Sequence, residues 1–215
     1  MPSRPRFVAA ADNRRPYGSH RCDVWSPKLN RRLTLFGKRA FSVWLAIESD
    51  PSIRTFCERP LVQKGARSKR VIDYWVERQE HQEEFWTLLR PSELEKQESG
   101  ATLFPGFDDL AQKLQILIRY IKPAEEFLSE QAAANWRFML HYLAANRDLI
   151  PKSMLERLQA TCSAGRSIQD LELEFAEHDP VVVRCGVFSL IQTGGLTAVD
   201  LVCTQIGPST RVARP

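Results

Sequence analysis

Along 38–48 the apolar side chains Phe41, Val43, Trp44, Leu45 and Ile47 recur at helical spacing, and Pro51 closes the run. The period then shortens. Segments 53–59, 71–76 and 85–89 are brief and rich in β-branched or aromatic residues. Pro60, the basic stretch Lys64-Gly65-Ala66-Arg67-Ser68-Lys69-Arg70 and the polar run 77–84 punctuate them. A helix followed by antiparallel strands predicts an α+β domain.

After a polar stretch at 93–100 and Pro105-Gly106, the pattern predicts helices only. Leu110, Leu114, Leu117, Ile118 and Ile121 suggest one over 107–120. Pro123, with Glu125 and Glu126 behind it, suggests a second, running to about 145. Pro151 opens a third, and Ser167-Ile168-Gln169-Asp170 is close to a capping box. Asp179-Pro180 starts a helix that ends at Gly194-Gly195, and Thr197 with Asp200 starts a last one to about 206. The final pair predicts a helix-turn-helix or winged-helix element. Its second helix holds no Lys or Arg and one Asp, so it reads as core or protein-binding surface rather than as a reader of DNA. The expected organisation is a basic, flexible arm over 1–24, an α+β domain over 25–105 and a helical domain over 106–215.

Charge sharpens this division. The net charge is only +4, but residues 1–72 hold sixteen Lys/Arg against five Asp/Glu, and residues 73–215 hold fourteen against twenty-one. A basic first third suits an anionic partner, of which double-stranded DNA is the commonest. The candidate contacts are Lys28, Arg31, Arg32, Lys38, Arg39, Lys64, Arg67, Lys69 and Arg70. The sequence contains no apolar run of membrane-spanning length and no apolar core of a secretory signal near Met1. The five cysteines are odd in number and widely spaced, which suits reduced thiols in a cytoplasmic protein better than a zinc site.

The order Trp25-Ser26-Pro27-Lys28, apolar helix, Ser49-Asp50-Pro51, Phe56-Cys57-Glu58-Arg59-Pro60, Val71-Ile72-Asp73-Tyr74-Trp75-Val76 resembles the amino-terminal domain of TnsA. TnsA is the restriction-enzyme-like endonuclease subunit of heteromeric bacterial transposases. The resemblance covers 25–90. It implies a restriction-endonuclease-like mixed sheet with flanking helices, followed by an all-α winged-helix-like domain. It also implies a Mg²⁺ site with a Glu from the helix, an Asp at a strand end and Glu-x-Lys on the next strand.

Aligned on Asp50-Pro51, the helix carboxylate falls on Ala40, whose methyl binds no metal, and the strand Asp falls on Asp73. The Glu-x-Lys pair falls on Thr87/Leu89 or on Leu88/Arg90, and neither register supplies a carboxylate. The resemblance therefore implies a non-catalytic, TnsA-like DNA-transposition protein without cofactor, in which Asp73 is vestigial. It would bind transposon-end DNA and dock on the transposase or its ATPase regulator. Two alternatives stay open: a Mg²⁺-dependent endonuclease whose site is rebuilt from Glu48, Glu58, Glu83 or Glu84, and a DNA-binding regulatory protein.

Overall fold

A computed structural model describes residues 5–64 and 69–215 and is mixed α+β. The chain forms two compact units. The first takes Met1–Val24, Arg32–Ile47 and Ser52–Glu126, and the second Trp25–Arg31, Glu48–Pro51 and Phe127–Pro215. The division falls after Glu126 rather than near 105, and the second unit borrows two short segments from the first half of the sequence.

In the first unit, β3 (Ile53–Glu58), β6 (Tyr74–Arg78), β7 (Glu83–Leu88) and β8 (Leu117–Ile121) form one sheet in the order β3-β6-β7-β8. The first three are antiparallel neighbours, and β8 lies parallel to β7. β1 (Arg21–Ser26) and β2 (Arg31–Phe36) make a separate two-stranded sheet. This hairpin was not expected. It is held in part by the Thr34 hydroxyl, which donates to Asp23 across the strands at 2.6 Å. α1 (Lys38–Ser49) matches its expected span. The expected strand over 71–76 is interrupted at Ile72 and Asp73. β5 (Lys69–Val71) pairs with β4 (Val62–Lys64), and β6 then starts afresh in the large sheet.

α2 (Pro91–Glu98) follows β7, and the helix expected over 107–120 divides into α3 (Pro105–Leu114) and β8. Gln115 adopts a left-handed φ of +58° and caps α3. Beyond it, β-branched Ile118 and Ile121 and aromatic Tyr120 favour a strand. One sheet face buries Cys57, Trp75 and Phe85 against Phe107 and Ala111 of α3. Phe7 completes this core, its ring edge-on to Trp75 at 5.5 Å. Residues 5–12, part of the arm expected over 1–24, lie against the sheet. Arg6 pairs with Glu83 at 3.0 Å, and the Ala11 N–H donates to the Arg59 carbonyl at 2.9 Å.

The second unit contains α4 (Glu130–Asn146), α5 (Lys152–Thr161), β9 (Arg166–Ser167), α6 (Ile168–Glu174), α7 (Pro180–Thr193) and β10 (Arg211–Val212). α4 starts after Ser129, whose hydroxyl accepts from the Ala132 N–H, rather than at Pro123. The stretch after Pro123 stays non-helical because Glu125 accepts from the Lys122 N–H and pairs with Arg119 at 2.6 Å. The Ser167/Asp170 capping box and the Asp179 cap form as expected. α5 and α7 approach closely at Gly186, where a Cβ would lie 2.8 Å from side-chain atoms of Met154 and Leu158.

The helix expected over 197–206 is instead a single 3₁₀ turn, Val199–Val202. Thr197 bridges Ala213, and β9 pairs with β10. Buried Asn135 holds the intervening loop: its amide donates to the carbonyls of Leu201 and Thr204, and its oxygen accepts from the Ile206 N–H. One side chain thus satisfies backbone groups that a helix would have paired internally. Among the described residues, no helix is long and apolar enough to cross a membrane.

Candidate functional site: an arginine-lined cavity

The ends of three elements meet in the first unit. The Tyr74 hydroxyl donates to the Ala40 carbonyl at 2.7 Å and ties α1 to the start of β6. The Asp73 N–H donates to Trp86 O at 3.1 Å, and the Leu88 N–H donates to Asp73 Oδ2 at 2.8 Å. Ala40, Asp73 and Arg90 therefore line one cavity of about 360 Å³. Of the two registers left open above, the fold favours Leu88/Arg90, because Leu89 turns into the opposite core.

Asp73 sits in this cavity with its side chain 24% exposed, and its Oδ2 lies 3.8 Å from Arg70. Burial raises the carboxyl above its usual range, against the pull of Arg70, the Leu88 N–H, Arg59 and Arg39. No group of three His, Cys, Asp or Glu suited to a metal ion occurs among the described residues. Glu83 accepts from the Trp75 indole and pairs with Arg6, and Glu84 accepts from the Trp86 indole and pairs with Arg78. Glu84 is in register with Val76, three residues along the strand from Asp73 or about 10 Å at strand spacing. Only Glu58 of the alternative carboxylates reaches the same cavity.

Five arginines line it: Arg14, Arg15, Arg59, Arg70 and Arg90. Arg59 follows β3 with a left-handed φ of +48°, an unusual conformation for a residue other than glycine and a mark of local strain. Its guanidinium donates to Asp12 at 3.0 Å and to the Arg14 carbonyl at 3.3 Å, and it covers the Phe36 ring. Arg70 donates to the Leu88 carbonyl at 2.7 Å, pairs with Glu93 at 3.2 Å and covers Phe104. Arg15 donates through Nε to the Ser19 carbonyl at 2.7 Å.

The DNA contacts expected from sequence are scattered, and Arg70 is the one that reaches the cavity. Arg32 and Lys38 are exposed. Arg39 is a tie rather than a free cation: its guanidinium donates to the carbonyls of Leu89, Ile121 and Lys122 at 2.6, 3.3 and 3.0 Å. Lys64 ends β4 and Lys69 opens β5, while Arg67 lies outside the described residues.

Lys28 and Arg31 belong to the second unit. There Lys28 joins a buried polar cluster, its ammonium donating to the Asp50 carbonyl and its N–H to Glu48 at 3.4 Å. Glu48 also accepts from the Ser26 hydroxyl and from Gln192. Burial pushes the Lys28 amine down to about 8, against the pull of Glu48 and Asp50. Glu48 is thus committed to this cluster.

Four cavity arginines were outside the expected contact set. Arg14 and Arg15 read as arm residues, Arg59 as framework and Arg90 only as one choice of register. The Arg14-Arg15 pair was the visible signal, but nothing in it shows that the arm folds back past Arg59. Comparison with protein-family models and with curated proteins returns no match.

Proposed function

We propose that this chain is a non-catalytic, TnsA-like protein of DNA transposition, which holds duplex DNA through the first unit and a protein partner through the second. The observation that carries this reading is the cavity shared by Ala40, Asp73 and Arg90. These are the positions to which the resemblance assigns the helix carboxylate, the strand Asp and the strand cation. A methyl replaces the first, Asp73 is engaged by the Leu88 N–H, and a guanidinium takes the third place. A guanidinium stays protonated, so it holds phosphate well and serves poorly as a base. The mixed sheet with its flanking helices agrees with a restriction-endonuclease-like domain.

In the second unit, the pair expected over 180–192 and 197–206 loses its second helix to the 3₁₀ turn; in its place, α6 and α7, preceded by β9 and followed by the Thr197–Ala213 bridge and β10, agree with a winged-helix-like module. The second helix of such a pair would be the one to read DNA. Here α7 buries Val183, Cys185, Val187, Phe188, Leu190 and Ile191, and its Arg184 is paired with Glu172 at 2.7 Å. That argues against α7 as a reader of DNA, and the partner we propose for this unit is the transposase or ATPase regulator of the same element.

The test is the salt dependence of duplex binding by the full chain, because 1–105 alone would remove β8 from the sheet. With about five phosphates neutralised, log K falls against log salt with a slope of roughly −4 to −5. Absence of binding at low salt, or a slope near zero, overturns the reading.

A further inference from the structure

The arginine cavity is more than a basic surface. Its five guanidinium groups come from four places in the chain: the amino-terminal segment, the residue after β3, β5 and the residue before α2. Three carboxyl groups also line it, those of Asp12, Glu58 and Asp73, so cations are in excess. Asp12 is engaged by Arg59, and Asp73 by the Leu88 N–H with Arg70 nearby. Arg14 and Arg90 have no side-chain hydrogen bond or ion pair among the described residues.

Such a surplus of planar donors around one concavity matches a small, highly charged oxyanion. Phosphate oxygens accept the paired N–H groups of a guanidinium in bidentate fashion, and the three terminal oxygens of a phosphomonoester dianion can take more than one such fork. The volume lies at the lower end of the range for small-molecule sites. Next to Pro16, which lines the cavity, the Tyr17 ring is fully exposed. An aromatic ring beside a phosphate site offers a face on which a nucleobase stacks.

We propose that the cavity is a metal-independent site for the terminal phosphomonoester of a nucleotide, gripped by Arg14, Arg59, Arg70 and Arg90, with the attached base against Tyr17. This rests on the nucleic-acid reading above and deepens it. The first unit would hold a strand end as well as the sides of a duplex. A free nucleotide presents the same chemistry, so the test distinguishes the two sources.

The experiment uses the full chain in EDTA and measures fluorescence anisotropy of short labelled single strands that carry a phosphate or a hydroxyl at the 5′ or the 3′ end. A phosphate at one end raises affinity by about tenfold or more, as expected for charge-assisted hydrogen bonds from several guanidinium groups. Arg14→Ala with Arg90→Ala removes that preference while circular dichroism and melting stay unchanged. Tyr17→Ala weakens the phosphorylated strand but leaves competition by inorganic phosphate intact.

A nucleoside monophosphate that competes as well as the strand assigns the site to free nucleotides, and one that competes far more weakly assigns it to strand ends. Equal binding of phosphorylated and unphosphorylated strands in EDTA overturns the proposal. So does an end preference that survives the double variant. Duplex binding with its steep salt slope is measured in parallel. Its loss overturns the DNA-binding reading, whereas loss of the end preference alone overturns only the phosphomonoester site.

Discussion

At the scale of single residues, two part-buried ionisable groups make opposite predictions. Asp73 has its carboxyl raised by burial, so the folded state holds its proton more tightly than the unfolded chain. Its contribution to stability is present below the unfolded value near 3.9 and is lost as pH rises through the folded value. Arg70, Arg59, Arg39 and the Leu88 N–H oppose this shift without cancelling it. Asp73→Asn removes the titration, so its melting temperature relative to wild type climbs as pH rises above the unfolded value. A difference that falls with pH would mean that Arg70 and the N–H hold the carboxylate ionised. Lys28 runs the other way, with its amine pushed down to about 8. Between about 8 and 10.5 the unfolded state binds more protons, so stability rises with pH across that window. Urea titrations at pH 7.5 and 10 should show a gain of no more than about 3 kcal/mol, absent in Lys28→Met. Asp73 was legible in the sequence because Asp50-Pro51 anchors the spacing. The burial of Lys28 was not, because Glu48, which accepts from its N–H, and Gln192, which donates to Glu48, meet only in the fold.

At the scale of elements, ties between ends decide what periodicity leaves ambiguous. Arg39 holds α1 to the ends of β7 and β8 through three carbonyls. Arg39→Ala should cost about 2–4 kcal/mol in chemical denaturation, and Arg39→Lys most of that, since an ammonium lacks the fork. A DNA-contact role would predict the reverse pattern: unchanged stability, and binding retained by Lys. Asn135 makes three hydrogen bonds, two of them buried, to the 3₁₀ turn and the loop after it, and Asn135→Leu should cost about 2–4 kcal/mol by stranding their backbone partners. A melting temperature like that of wild type would show that solvent replaces them. The same logic explains what the sequence revealed. α1, α7 and the Ser167 and Asp179 caps were legible because helical spacing and capping are local. β8 was not, since Leu114, Leu117, Ile118 and Ile121 fit a helix, and only pairing with β7 selects the strand. The loop at 197–206 was misread because its donors and acceptors are met by Asn135, far away in sequence.

At the scale of the whole molecule, the two units cut across the charge division at residue 72: the first runs on to Glu126, and each takes elements from both sides of Asp50. The charge asymmetry was legible at once. The gathering of arginines at Ala40 and Asp73 was not, because it depends on the amino-terminal segment folding back past Arg59. This gathering frames the strongest functional prediction, that the chain does not cut DNA. Metal-assisted cleavage needs carboxylates that fix the ion against the scissile phosphate, and misplacing a reacting group by about 1 Å can cost ~10²-fold. Here the helix position is a methyl, Asp73 is engaged by the Leu88 N–H, and the cation at Arg90 is a poor proton acceptor. Supercoiled DNA carrying transposon ends, incubated with the full chain, the proposed transposase partner and Mg²⁺ or Mn²⁺, should show no 5′-strand cleavage attributable to this chain. Asp73→Ala should leave the products unchanged. Cleavage that disappears in Asp73→Ala but persists in Arg14→Ala would mean that Asp73 and Glu58 recruit a metal when DNA enters, and the nuclease reading would replace the one argued here.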